Sequence, residues 1–173
     1  AYTFIKAQGG SIGNSICEKD FCDYSIQLLE KAKAKNIMIY LPKDVIIANR
    51  FDNKADRRIS KIDKIPAGWQ GLDIGPESIK AIKPIVKKSK TILWNGPLGV
   101  FEFDNFSNGT VELGNMISEA TKEGSFSLVG GGDSVLAVKK FGLSNKMSYV
   151  STGGGAMLES LEGKELPGIK ALS

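Results

Sequence analysis

At 173 residues, 42% hydrophobic and 24% charged, the chain is long enough for a real core and has the make-up of an ordinary globular protein. The absence of histidine excludes Ser-His-Asp and Cys-His catalysis within the chain and disfavours a zinc site. The net charge of +4 comes from scattered lysines. The densest basic run, Lys83 to Lys90, has no interleaved aromatics to stack on bases, so no nucleic-acid partner is expected.

No apolar stretch approaches the ~20 residues of a membrane helix, so no membrane partner is expected either. The opening Ala1-Tyr2-Thr3-Phe4-Ile5-Lys6 lacks a signal-peptide pattern and an initiator methionine, and it begins abruptly, as a fragment would. Cys17 and Cys22 fit neither a C-x-x-C redox motif nor a zinc site. They are expected to be two buried thiols in a reducing cytoplasm.

The spacing of Phe21, Leu28, Leu29 and Ala32 predicts an amphipathic helix over 21–36. Ile37 to Leu41, stopped by Pro42, is expected to be a short strand, and Val45 to Ala48 another. Asn49 to Asp63 is charged and expected to be an exposed excursion. A helix is expected from Pro76, with Ile79, Ile82 and Val86 on its apolar face and a bend or frayed end near Pro84. Thr91 to Trp94 is expected to be a buried strand, and Thr110, Leu113, Ile117 and Ala120 mark a further helix. The alternation predicts an α/β fold in one domain, 1–173. Its parallel sheet would carry helices on both faces in a three-layer, Rossmann-like arrangement.

The chemistry collects where two strands run into glycines. Phe126 to Val129 leads into Gly130-Gly131-Gly132-Asp133-Ser134, and Met147 to Val150 leads into Ser151-Thr152-Gly153-Gly154-Gly155-Ala156. Each glycine run is expected to open a helix, whose first N–H groups and positive dipole end suit a phosphate. No Walker A pattern or complete G-x-G-x-x-G occurs. In a parallel sheet, ligands lie beyond the carboxyl ends of the strands, where Asn95, Gly130 and Gly153 are expected. Asp133 suits either a helix N-cap or a Mg²⁺ ligand beside phosphates, and Ser134 either a cap or a phosphate contact. Asn95 is either a turn residue or a ligand contact, and Glu102 either a surface charge or a partner for ribose hydroxyls.

The segments WNGPLGVFE, VGGGDS, STGGGA and LEGKELPGIKAL, in that order, closely resemble the nucleotide-binding C-terminal half of the phosphoglycerate kinase family. AYTFIKAQG, LPKDVIIA and GWQGLDIGPES fit it too, so the resemblance covers essentially the whole chain. It implies an adenine-pocket wall at Gly71 and Leu72 with Ile16 as an apolar side. It also implies phosphate contact at Asn95, proximity of Pro97 and Val100 to ribose and base, and ribose binding at Glu102. Gly131, Gly132, Asp133 and Ser134 would form the phosphate and metal loop, with Asp133 toward Mg²⁺. Gly132, Gly154 and Gly155 would face the phosphoryl group in transit.

The activity implied is a glycolytic transferase reaction, reversible between 1,3-bisphosphoglycerate with ADP and 3-phosphoglycerate with ATP, in the cytoplasm. Such chemistry asks mainly for positioning and electrostatics, which agrees with the lack of histidine. In the family an N-terminal domain binds phosphoglycerate, and the intact enzyme is expected to be a monomer. Neither that domain nor the first strands of the C-terminal one are found here. The fold is therefore expected to be truncated on its N-terminal side, to expose a raw sheet edge, and to be inactive alone. Two rivals are a dinucleotide-binding oxidoreductase, which lacks its fingerprint, and a non-catalytic folding or interaction fragment.

Overall fold

The computed structural model describes residues 1–171, so Leu172, at the end of the LPGIKAL segment, lies outside the described residues. The backbone groups into two compact units, one of Ala1–Ile82 with Leu98–Gly109, the other of Lys83–Pro97 with Thr110–Ser173.

The first unit opens with α1 (Tyr2–Ala7), β1 (Ser11–Ile12) and α2 (Cys22–Ala34). It continues through β2 (Asp44–Ala48), β3 (Arg57–Lys61), β4 (Lys64–Ile65) and β5 (Gln70–Ile74). Strand β2 is central, with β3 and β5 on either side, both antiparallel to it. β1 and β4 form a separate short parallel pair. Val45 and Ile47 of β2 face a core of Ile5, Ile12, Ile62 and Ile65. Ala48 packs with Ala55, Leu72 and Phe106 in a second cluster.

One expectation fails in this unit, and another is met only in part. Ile37 to Leu41 is not a strand: Asn36 turns the chain at φ 54°, Ile37 and Met38 are exposed, and no described strand pairs with the segment. Apolar composition cannot make a strand without a ladder partner. The charged stretch 49–63 is largely exposed as expected, apart from Ala55 and Ile62, yet it contains β3, because β2 offers its edge in register from Asp44↔Lys61 to Ala48↔Arg57. Charges suit such an edge strand, and Arg58 also lies over the Trp69 ring, 4.4 Å from its centroid.

The helices α3 (Pro76–Lys88) and α4 (Asn108–Lys122) begin in the first unit and end in the second. Pro76 stands at the first helical position, where its missing N–H costs nothing, and α3 runs on through Pro84.

The second unit is the expected parallel α/β arrangement. Its sheet has the order β6 (Thr91–Asn95), β7 (Phe126–Gly130), β8 (Tyr149–Val150), flanked by helices including α5 (Gly132–Lys140). Then come α6 (Gly154–Leu161) and the short α7 (Pro167–Lys170). Trp94 and Val129 bury against Ile117, Val138, Leu143 and Met147, whereas Leu93, expected to be buried with its strand, is 45% exposed. The start of β7 is tied to the approach of β8 by a reciprocal pair. The Ser127 N–H donates to Ser148 Oγ at 3.0 Å, and the Ser148 N–H donates to Ser127 Oγ at 2.9 Å.

Candidate functional site

In the second unit, parallel pairing places Asn95, the last residue of β6, directly beside Gly130, the last of β7. The next residue, Gly131, turns at φ 86°, ψ 138° and hands the chain to α5. Only glycine takes that conformation without strain. A Cβ on Gly131 would stand 2.3 Å from Asn95 Oδ1, so the Asn95 amide lies across the loop. A Cβ on Gly154 would stand 2.4 Å from the Gly131 nitrogen, so the start of α6 is pressed against the same loop. The starts of two helices, α5 and α6, and one side-chain amide thus converge at the carboxyl ends of adjacent strands.

The glycines divide into two kinds. Gly131 and Gly154 are glycine because Asn95 and the Gly131 backbone occupy the space of a side chain, while Gly130 faces only the flexible end of Met157. Around Gly132, Gly153 and Gly155 a Cβ would meet nothing within 4 Å. These positions leave open the space above the first turns of α5 and α6. The α5 ladder starts with the Val135 N–H donating to the Gly131 carbonyl, and that of α6 with the Met157 N–H donating to the Gly153 carbonyl. The N–H groups of 132–134 and 154–156 therefore lie outside the two ladders, facing the helix starts. Aligned amides in this setting favour a bound anion.

Ser134 is fully buried, and its Oγ accepts the Gly96 N–H at 2.5 Å. The Trp94 Nε1–H donates to the Gly96 carbonyl at 2.8 Å. Ser134 thereby fixes the turn after β6 to α5, a tie that sequence reading did not anticipate. Asp133 is exposed in the first turn of α5 and is not its N-cap, which is Gly131. Among the described residues no group of three or more His, Cys, Asp or Glu gathers around a common point. A single carboxylate beside helix N–H groups fits a magnesium ion that takes its remaining ligands from phosphate and water. Pro97, two residues beyond Asn95, is half-buried.

The other candidate residues lie in the first unit. The Gly71 N–H donates to Ser15 Oγ at 2.9 Å, which brings Gly71 beside the Ser15-Ile16 segment. Ile16 is 85% exposed. The bare face of Gly71 is filled by the Tyr2 phenol, which gives this glycine a packing role as well. Leu72 is buried, and its carbonyl accepts the Val100 N–H at 2.8 Å. Glu102 is exposed one turn further on.

Two buried carboxylates of this unit were not singled out from sequence. Asp44 accepts the N–H groups of Glu77 (3.0 Å) and Ser78 (2.8 Å) and the Ser78 hydroxyl (2.6 Å), capping α3 from a neighbouring strand. Asp73 does the same for α4, accepting the Gly109 N–H at 3.0 Å along with those of Ile74 and Asn108. Burial pushes the Asp73 carboxyl up to about 6, against the opposing pull of those three N–H groups. Gly99 and Gly109 leave room for it: a Cβ on either would lie within 2.5 Å of Asp73 Oδ1. The available signal was a lone acidic residue inside a short apolar strand, Leu72-Asp73-Ile74.

Comparison with known proteins agrees with these motifs. The family model for phosphoglycerate kinase matches residues 1–164. Phosphoglycerate kinase of Porphyromonas gingivalis is 56% identical over 171 residues, which are 99% of this chain and 41% of that protein. Phosphoglycerate kinase 3, cytosolic, of Arabidopsis thaliana is 53% identical, with coverages of 99% and 43%. The solved structure of phosphoglycerate kinase from Coxiella burnetii aligns with a TM-score of 0.92 at 45% identity, covering 99% of this chain and 44% of that one. The chain spans about two-fifths of the length of these curated relatives.

Proposed function

Since the chain belongs to the phosphoglycerate kinase family, we propose that it is the nucleotide-holding part of an enzyme moving a phosphoryl group reversibly between 1,3-bisphosphoglycerate and ADP. The products in the forward sense are 3-phosphoglycerate and ATP. The observation that carries this reading is the convergence of the α5 and α6 starts on Asn95, with open space over Gly132, Gly153 and Gly155.

In this proposal the first-turn N–H groups of α5 and α6 hold the phosphates and the phosphoryl group in transit. They are fixed before the reaction and need no reorganisation as charge shifts among the phosphoryl oxygens. Asn95 donates its amide to the same phosphates. Asp133 holds Mg²⁺, directly or through water, and the ion when bound neutralises nucleotide phosphate charge. Gly131 and Ser134 act by shaping the loop, one through its backbone and the other through Gly96. The base and ribose are assigned to Ile16, Gly71, Leu72, Pro97, Val100 and Glu102 on the family resemblance. Phosphoglycerate is assigned to the part of the relatives' length that this chain does not span, and the working compartment to the cytoplasm. Residues 1–173 alone are accordingly expected not to turn over in a coupled kinase assay.

Calorimetric titration of Mg·ADP into the folded chain, with Asp133→Ala beside it, tests the reading. Saturable heat that weakens roughly tenfold in the variant supports it, a change of about 1.4 kcal/mol. A folded chain that gives no heat, or a variant that binds equally well, removes it.

A further inference from the structure

The cysteines serve neither the glycine loops nor the helix caps, and the structure places them differently from the two buried thiols expected. Both are half-buried and neither is in a disulfide. Cys22, at the start of α2, lies close enough to Cys17 in the preceding loop for the two thiols to interact electrostatically.

The backbone on each side of this contact is pinned. The Asn14 N–H donates to the Trp69 carbonyl at 2.7 Å, and Ser15 Oγ holds Gly71. The Glu18 N–H donates to Thr3 Oγ1 at 3.3 Å, and the Phe21 N–H to the Glu18 carbonyl at 3.1 Å. Ser25 Oγ donates to the Phe21 carbonyl at 2.8 Å and steadies the first turn of α2. Cys17 also forms part of the wall of an open cleft of about 450 Å³, which Lys6 and Lys19 line as well. A small polar oxidant can reach Cys17 from this cleft.

We propose that Cys17 and Cys22 are a reversible dithiol–disulfide pair, oxidised by a hydroperoxide with Cys17 attacking and Cys22 resolving. The Cys17 sulfur attacks the peroxide as its thiol gives up its proton, the O–O bond breaks, the sulfur becomes a sulfenic acid, and the proton leaves with the departing oxygen as water or an alcohol. The Cys22 sulfur then displaces the sulfenic oxygen. The S–O bond breaks, the S–S bond forms, and the Cys22 proton leaves with the oxygen as water. Two thiols lose two electrons and the peroxide gains them. Burial first, and then the Cys17 thiol and Asp23, push the Cys22 thiol up, while Lys6 opposes them. Cys22 therefore keeps its proton until the second step.

Trypsin decides the matter because Lys19 lies between the two cysteines, which fall on peptides 7–19 and 20–31. After hydrogen peroxide treatment of the whole chain, non-reducing digestion should yield these two peptides joined, and dithiothreitol should separate them. Cys22→Ser should leave a dimedone-reactive sulfenic acid on Cys17, and Cys17→Ser should slow oxidation of Cys22 by at least roughly tenfold. Thiol loss without the joined peptides, disulfide-linked dimers in their place, or equal oxidation rates in the two variants would each overturn the proposal. The wild-type digest is decisive even if a variant fails to fold.

Discussion

Alanine at two neighbouring glycines separates the backbone role of the α5 loop from its ligand role. Gly131 stands at φ 86°, ψ 138°, with a Cβ 2.3 Å from Asn95 Oδ1. Alanine there carries about 1–3 kcal/mol of backbone strain, besides displacing the Asn95 amide. At this chain length that corresponds to a fall in Tm of several degrees, at about 2–4 °C per kcal/mol. Gly132 is the first helical residue, and its Cβ would meet nothing within 4 Å. Alanine at 132 should leave Tm unchanged or raise it, by at most about 1 kcal/mol of recovered helix propensity. The same methyl would stand in the open space proposed for phosphate and should weaken Mg·ADP binding by roughly tenfold or more, about 1.4 kcal/mol. Thermal unfolding by circular dichroism and calorimetric titration read the two effects separately. Wild-type affinity in Gly132→Ala would refute the phosphate assignment. Wild-type stability in Gly131→Ala would refute the steric argument for the loop.

Asp73 gives a pH signature. Its folded carboxyl is raised from 3.8 to about 6, so the stability it contributes is complete below the lower value and is lost as pH rises through the higher one. The loss is of the order of 3 kcal/mol, and urea unfolding between pH 4 and 7 should show a downward slope that Asp73→Asn flattens; an unchanged slope would contradict the assignment. Asp44→Ala should lower stability by about 2 kcal/mol, since it strips two first-turn N–H groups of α3 and the Ser78 hydroxyl of their buried acceptor. Stability within experimental error of wild type would show that water replaces the cap. Asp133→Asn should lower the magnesium dependence of ADP affinity while costing no more than about 0.3–1 kcal/mol of stability, because Asp133 is exposed at a helix start and makes no cap bond. Titrations with and without magnesium would expose an error there as an unchanged ratio.

Local pattern determined a good deal by itself. The helical periodicity of 21–36, the proline at 76 and the two strand–glycine–helix units all place elements that the structure contains, because each depends on residues near in sequence. Long motifs such as WNGPLGVFE and VGGGDS were enough to identify the family, since their order and length exceed what any one turn requires.

What needed the tertiary structure were the relations between distant residues. Ile37 to Leu41 has the composition of a strand and no described partner, whereas the charged Arg57–Lys61 becomes one because β2 presents an edge to it. Asp44 and Asp73 look like ordinary acidic residues until folding sets them against the first turns of helices more than thirty positions away. Of the glycines, sequence shows only that they are small. The fold decides that Gly131 makes room for Asn95 and Gly154 for Gly131, while Gly132, Gly153 and Gly155 make room for nothing in the protein itself.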